Sequence, residues 1–185
     1  MQRCQWATSS PLMQAYHDKE WGCPHHNDHA LFELMCMEMY QAGLSWRTVL
    51  NKRAAFNEDF NAYDVKTVAS MTAQDWEPLL NDARIIRNRA KLAATVTNAQ
   101  AFLRVQQEFG CFDRYWWHFV NGQPMINDVP EASMTPAQTE LSVKISKDLK
   151  RRGFSFMGPV AVYAFMQASG LVDDHQNNCA FKTKA

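Results

Sequence analysis

The run Ala30-Leu31-Phe32-Glu33-Leu34-Met35-Cys36-Met37-Glu38-Met39-Tyr40 is apolar on almost every side when wound as a helix. Such a helix has no broad solvent face and must be mostly buried. Asp28 suits its N-cap and Gly43 its end. Glu38 is the anomaly in it. Burying a carboxylate costs roughly several kcal/mol unless a hydrogen-bond donor or an opposite charge meets it. The residues leave three readings open: a buried pair with an Arg or Lys, exposure on a narrow polar stripe with Gln41, or a place in a binding site.

Helical signals continue along the chain. Ser45 caps a segment running toward Phe56, and further short segments open after Asp64 and after Thr72. The stretch from Thr72 to Leu80, the turn Asn81 to Arg87 and a helix capped by Asn88 and running toward Phe109 predict two helices joined by a tight turn, a helix-hairpin-helix shape. Gly122 to Pro136 holds turn formers and reads as a loop or hinge. Thr139 to Arg152 reads as a basic amphipathic helix, and Pro159 at a first helical position with Gly170 as the stop marks another. Strand-like alternation is hardly present, so the expected fold class is all-α.

The 185 residues, 46% hydrophobic and 21% charged, suit a globular protein of one domain or two small lobes. Nineteen basic residues balance nineteen acidic ones, so any nucleic-acid surface has to be local. Arg84, Arg87, Arg89 and Lys91 offer one such patch, and Lys144, Lys147, Lys150, Arg151 and Arg152 a stripe; a solvated basic face explains either equally well. Met1 to Ser10 carries no apolar run and no later stretch approaches the roughly 18 apolar residues of a membrane span, so a cytoplasmic location is expected.

Five cysteines without a secretory signal read as reduced thiols, among which metal ligands are to be sought. Cys4 and His17 lie near one end of the chain, and His175 and Cys179, spaced as an i, i+4 pair that would face one way on a helical turn, lie near the other. Two Cys and two His suit tetrahedral zinc with no open position. The spacing is equally compatible with a surface His175 after Asp173-Asp174, and His25, His26 and His29 are competing nitrogens. Trp6, Trp21 and Trp46 gather in the first quarter with Tyr16 and Tyr40. Aromatics mostly serve a core, but an aromatic slot closed by a carboxylate such as Glu38 suits a flat, electron-poor or cationic ligand, of which a methylated purine is one.

The segments Arg3-Cys4-x-Trp6, Tyr16-His17-Asp18-x-Glu20-Trp21-Gly22, Gln41-Ala42-Gly43-Leu44-Ser45-Trp46, Ile85-Ile86-Arg87 and Arg152-Gly153-Phe154-x-Phe156-x-Gly158 span nearly the whole chain. Together they resemble the bacterial type I 3-methyladenine DNA glycosylases. The resemblance implies an all-α helix-hairpin-helix glycosylase fold, in which one structural zinc ion held by Cys4, His17, His175 and Cys179 joins the terminal segments. It implies a base pocket of Glu38, Tyr16 and Trp46, with Trp6 and Trp21 beside them. The expected lobes are about 28–120, and 1–27 together with 137–185. The implied activity is removal of 3-methyladenine from alkylated double-stranded DNA without strand cleavage, with no membrane and no obligate protein partner. Gln41 and Leu44 are placed as a wedge into the duplex, and Arg84, Ile85 and Arg87 as the hairpin that holds it.

The chain departs from that family's pattern at three places. Arg84 stands where a glycine is usual, which predicts backbone strain if the position requires φ > 0. Val143 replaces an aspartate, and Met13 a tyrosine of the pocket wall. A noncatalytic module that binds damaged DNA is the competing class. A zinc hydrolase requires an open coordination position, which four protein ligands do not leave.

Overall fold

The structure, a computed structural model, describes residues 1–183. It is mostly helical. In chain order the helices are α1 (Pro11–Lys19), α2 (Asp28–Gln41), α3 (Trp46–Asp59), α4 (Val65–Ser70), α5 (Ala73–Trp76), α6 (Arg89–Phe109), α7 (Phe112–His118), α8 (Glu140–Arg151) and α9 (Pro159–Ala168). Most begin where the sequence places a cap. Ser45, Asp64, Asn88 and Thr139 each accept a backbone N–H of the first turn, Thr72 forms a capping box with Asp75, and Pro159 sits at the first position of α9.

Helix α2 packs against α3, α6, α7 and α9. This is why its sequence is apolar nearly all round: nine of its residues, from Leu31 to Tyr40, are buried. Around it Tyr40 stacks on Phe56 at 4.0 Å and bonds the Thr95 hydroxyl at 2.8 Å. Phe102 stacks on Phe112 at 4.0 Å.

Four local expectations are corrected. Asn27, not Asp28, caps α2, its side chain accepting from Ala30 N at 3.1 Å. Asp28 instead accepts the Phe112 and Asp113 amides, both at 2.8 Å, capping α7, whose own N-cap, Cys111, supplies no side-chain bond. Residues 72–80 are not one helix: α5 ends at Trp76 and a 3₁₀ turn, Glu77–Asn81, follows, because Pro78 has no N–H to continue the α ladder. The loop after Gly122 contains a short strand, β1 (Met125–Ile126), paired in parallel with β2 (Val172–Asp173). His175 to Cys179 form an irregular turn rather than a helical one, with His175 N donating to the Asp173 carboxylate at 3.0 Å.

The end of α9 is locked to the segment after α1. Gly22 N donates to Gln167 O and His25 N to Ser169 O, both at 3.0 Å. Gly170, at φ 71°, is required there, since a Cβ would lie 2.2 Å from the Cys23 carbonyl carbon. That contact and the β1–β2 pairing aim the last turn of the chain back at its start. Among the described residues no helix is long and apolar enough to cross a membrane.

Candidate active site and metal centre

A pocket of about 320 Å³ opens where the first twenty-odd residues meet α2 and α3. Trp6, Tyr16 and Trp21 line it from the N-terminal segment, Glu38 and Gln41 from the last turns of α2, and Trp46 from the first position of α3. The Tyr16 and Trp46 rings lie 5.1 Å apart and tilted, and Trp6 meets Trp21 edge-on at 5.0 Å. Met13, buried, forms part of the wall. The volume suits a ligand the size of a single base, at the small end of the usual range.

Glu38 is 5% exposed and, among the described residues, has no hydrogen bond or ion pair. Both bland readings therefore fail. The stripe reading fails on burial, and the pair reading fails because the nearby cations are engaged elsewhere. Lys91 Nζ donates to Tyr40 O at 2.9 Å and Ala42 O at 2.7 Å, closing the C-terminus of α2. Arg53 is held by Glu20 at 2.7 Å and Glu33 at 2.8 Å. Burial alone raises the Glu38 carboxyl to about 8. Two further polar atoms of the pocket wall, Tyr16 Oη and Trp46 Nε1, are buried and have no partner among the described residues. Buried polar groups in folded proteins are nearly always satisfied, so two such atoms beside the unpaired Glu38 carboxyl suit the pocket to a polar, flat ligand.

The pocket also has members that the sequence did not announce. Asp174 is buried and accepts from Tyr163 Oη at 2.6 Å, Gln167 Nε2 at 2.7 Å and Asn127 Nδ2 at 2.7 Å. Asp174 and Gln167 both line the cavity. The Asp173-Asp174 doublet was the one visible signal of Asp174; both carboxylates are buried, Asp174 at the cavity and Asp173 against His175.

Behind Trp6 and Trp21 the two chain ends converge. The ligand atoms of Cys4, His17 and Cys179 lie within 4.8 Å of one another, all three residues buried, with His17 Nε2 3.5 Å from Cys179 Sγ. His175 stands outside that group of three, its ring 4.9 Å from the His17 ring and nearly perpendicular to it. Its Nε2 is buried and has no partner among the described residues, while its Nδ1 bonds Asp173 Oδ1 at 2.8 Å. His17 Nδ1 likewise bonds Asp18 Oδ1 at 2.8 Å. An imidazole held by a carboxylate on one nitrogen, with the other directed at buried thiols, is the usual arrangement of a metal-binding histidine. Burial favours neutral His17 and raises the Cys4 thiol to about 12 in the protein alone, a charge-poor state that a divalent cation would reverse. The fit is close enough that a Cβ on Gly22 would lie 2.6 Å from His175 Cε1. This donor set can hold a metal ion.

The hairpin before α6 differs from its expected form. Arg84 is absent from the residues at positive φ, so no left-handed backbone strains it. Its guanidinium bonds Asp82 at 2.9 Å and Glu58 at 2.6 Å, and Lys52 Nζ holds the Ala83 and Arg84 carbonyls at 3.1 and 2.8 Å. Ile85 is buried and Arg87 exposed. Arg89 pairs with Glu77. The expected patch of four cations is thus reduced to Arg87, because acidic partners distant in sequence neutralise Arg84 and Arg89 while Lys91 turns inward. In α8, Lys144, Lys147 and Lys150 are exposed, whereas Arg152 is drawn in by Asp148 at 2.7 Å and Glu108 at 2.6 Å. Gln41 is half-buried, and Leu44 stands 40% exposed at the α2–α3 turn.

The helical scaffold thus closes a base-sized aromatic slot with an unpaired carboxylate. The family model described as methyladenine glycosylase matches residues 6–183, and the chain belongs to that family. It is 48% identical over 181 residues to the DNA-3-methyladenine glycosylase of Haemophilus influenzae, covering 98% of each chain. It is 46% identical over 179 residues to DNA-3-methyladenine glycosylase 1 of Escherichia coli, covering 97% of this chain and 96% of that one. A solved structure of a variant 3-methyladenine DNA glycosylase I in complex with 3-methyladenine superposes with a TM-score of 0.96 at 40% identity, over 100% of this chain and 99% of that one.

Proposed function

We infer that this protein is a DNA-3-methyladenine glycosylase, which hydrolyses the bond between the damaged base and its deoxyribose and leaves an abasic site. The observation that carries the reading is the convergence of the Glu38 carboxyl, Tyr16 Oη and Trp46 Nε1, all without partners, on one base-sized pocket. Adenine methylated at N3 and still attached to the sugar is a cation. Its glycosidic bond is weakened already, so little acid catalysis is needed. The nucleotide leaves the duplex and its base enters between the Tyr16 and Trp46 rings. There Glu38 accepts hydrogen bonds from the exocyclic amine side, and its charge favours the methylated cation over neutral adenine. Trp6 and Trp21 close the slot behind.

Water then bonds to C1′ as the C1′–N9 bond breaks. The electron pair of that bond neutralises the departing base, and the water's proton passes to solvent. Among the described residues no lysine lines the pocket, so none of them in the wall forms a Schiff base and the strand stays uncut.

We propose further that Cys4, His17, His175 and Cys179 hold one structural zinc ion, which supplies a cross-link and no chemistry. The partnerless His175 Nε2 and the carboxylates behind both imidazoles support that set. The zinc would join 1–27 to 137–185, of which 184 and 185 lie outside the described residues, as one lobe against 28–120, with the pocket walls drawn from both. DNA would be met by Leu44 and Gln41 at the pocket rim and by Ile85, Arg87 and the hairpin backbone, with Arg84 shaping that hairpin through its carboxylates.

Incubation with duplex DNA methylated at adenine N3 should release free 3-methyladenine and leave the strand unbroken. No release at an enzyme concentration above that of the lesion would sink the reading.

A further inference from the structure

Beside the base pocket runs a second groove of about 600 Å³, which shares Glu38, Gln41, Thr135, Ala164 and Gln167 with it. Two turns rim this groove. One is the α2–α3 turn with Leu44; the other joins α8 to α9 and carries Phe156.

Phe156 is doubly anomalous. Its backbone is left-handed, at φ 59°, a conformation that a side chain of this size rarely adopts. The residue is 45% exposed, although its neighbours Phe154 and Met157 are buried at 5% and 4%. The strain is imposed from both sides. Asn98, fully buried, accepts Ser155 N at 2.7 Å and donates to Ser155 O at 3.1 Å, and Ser146 Oγ donates to Met157 O at 2.7 Å. A fold that pins both flanking residues in order to hold a strained aromatic out in solvent gains no stability from it, which is the pattern of a residue shaped for a ligand. Val160, 56% exposed on the same rim, extends the apolar edge.

We propose that Phe156 is a second DNA-stacking residue, which enters the duplex beside the flipped nucleotide and with Leu44 holds open the gap left there. The inference rests on the glycosylase reading above. Continuity of the groove with the pocket identifies the occupant, since a base in the pocket leaves its sugar and neighbouring nucleotides at the shared walls. Helix α8, which leads into the Phe156 turn, presents the exposed Lys144, Lys147 and Lys150 with no ion pair among the described residues, a polarity that suits phosphates. Apolar wedges between base steps are a general means of stabilising such a gap.

The test uses Phe156→Asn, because Asn tolerates the left-handed backbone while removing the ring, with Phe156→Tyr as the rescue. The expected result for the Asn variant is unchanged thermal stability and unchanged binding of free 3-methyladenine. Single-turnover excision from methylated duplex and affinity for a duplex bearing an abasic-site analogue should each fall about tenfold, the scale of one lost stacking contact. Phe156→Tyr should restore both. Wild-type excision and duplex affinity in the Asn variant would overturn the proposal, as would a Phe156-dependent dimer of the protein without DNA. If the wild-type protein neither binds the free base nor excises it, the glycosylase reading itself has failed.

Discussion

Glu38 sets stability against function. In the protein alone its carboxyl lies at about 8, against 4.5 for an ordinary glutamate, because burial penalises the charge. The folded chain therefore keeps a proton that the unfolded chain releases, and between about pH 4.5 and 8 stability falls as pH rises. Glu38→Gln removes that dependence. Its melting temperature should exceed that of the wild type at pH 8, and the difference should shrink toward pH 5; a constant difference across this range would contradict the burial argument. Binding runs the other way, since a cation requires the ionised form. Affinity for an N3,N9-dimethylated adenine cation should tighten about tenfold per pH unit below 8, level off above it, and be flat in the Gln variant. The need for a partner at Glu38 was legible from its apolar neighbours in sequence. The missing partners of Tyr16 Oη and Trp46 Nε1 were not, because satisfaction of a hydrogen bond is a property of the folded surroundings.

At the scale of elements, caps and breakers were read well because they act within four residues. Ser45, Asn88, Thr139 and Pro159 begin helices where their chemistry requires it. The choice between Asn27 and Asp28 was not local, since the partner that decides it, Phe112 N, lies 84 positions away. Asp28 is thereby an inter-element clamp: it fixes α7 against the start of α2 and also accepts Gln106 Nε2 at 2.7 Å. Asp28→Ala should destabilise the protein by about 1–2 kcal/mol in chemical denaturation, the range of a lost N-cap, with no change in base binding. Indifference of stability to the substitution would show that the clamp contributes nothing. The neutralised charge of the turn before α6 was hidden from the sequence for the same reason. Its arginines were visible, but Glu58 and Glu77, which engage them, belong to other elements.

Over the whole molecule, the closing contact is between the two ends of the chain. Cys4 and Cys179 sit together because α9, Gly170 and the β1–β2 pairing turn the last segment back toward α1. A metal there would close nearly the longest loop the chain has, and its binding free energy would add to folding. Elemental analysis should find about one zinc per chain, and Cys179→Ala should lose the metal and melt earlier; full zinc and an unchanged melting temperature in the variant would refute the four-ligand assignment. The cysteines and histidines near the termini were visible in sequence as candidate ligands, whereas the carboxylates Asp18 and Asp173 behind the two imidazoles, and the irregular turn that carries His175, emerged only in the fold. The same convergence brings Trp6 and Trp21 against the two imidazoles, with Trp21 4.6 Å from the His175 ring and Trp6 5.3 Å from that of His17. The cysteine–histidine cluster and the aromatic pocket therefore share a wall.

The most direct test of the account is the single-turnover release of 3-methyladenine from N3-methylated duplex by the wild type and by Glu38→Ala. The account predicts free base and an unnicked abasic strand from the wild type, and release slowed by about a hundredfold or more in the variant, on the scale of a lost transition-state contact. Release at the wild-type rate from Glu38→Ala would contradict it.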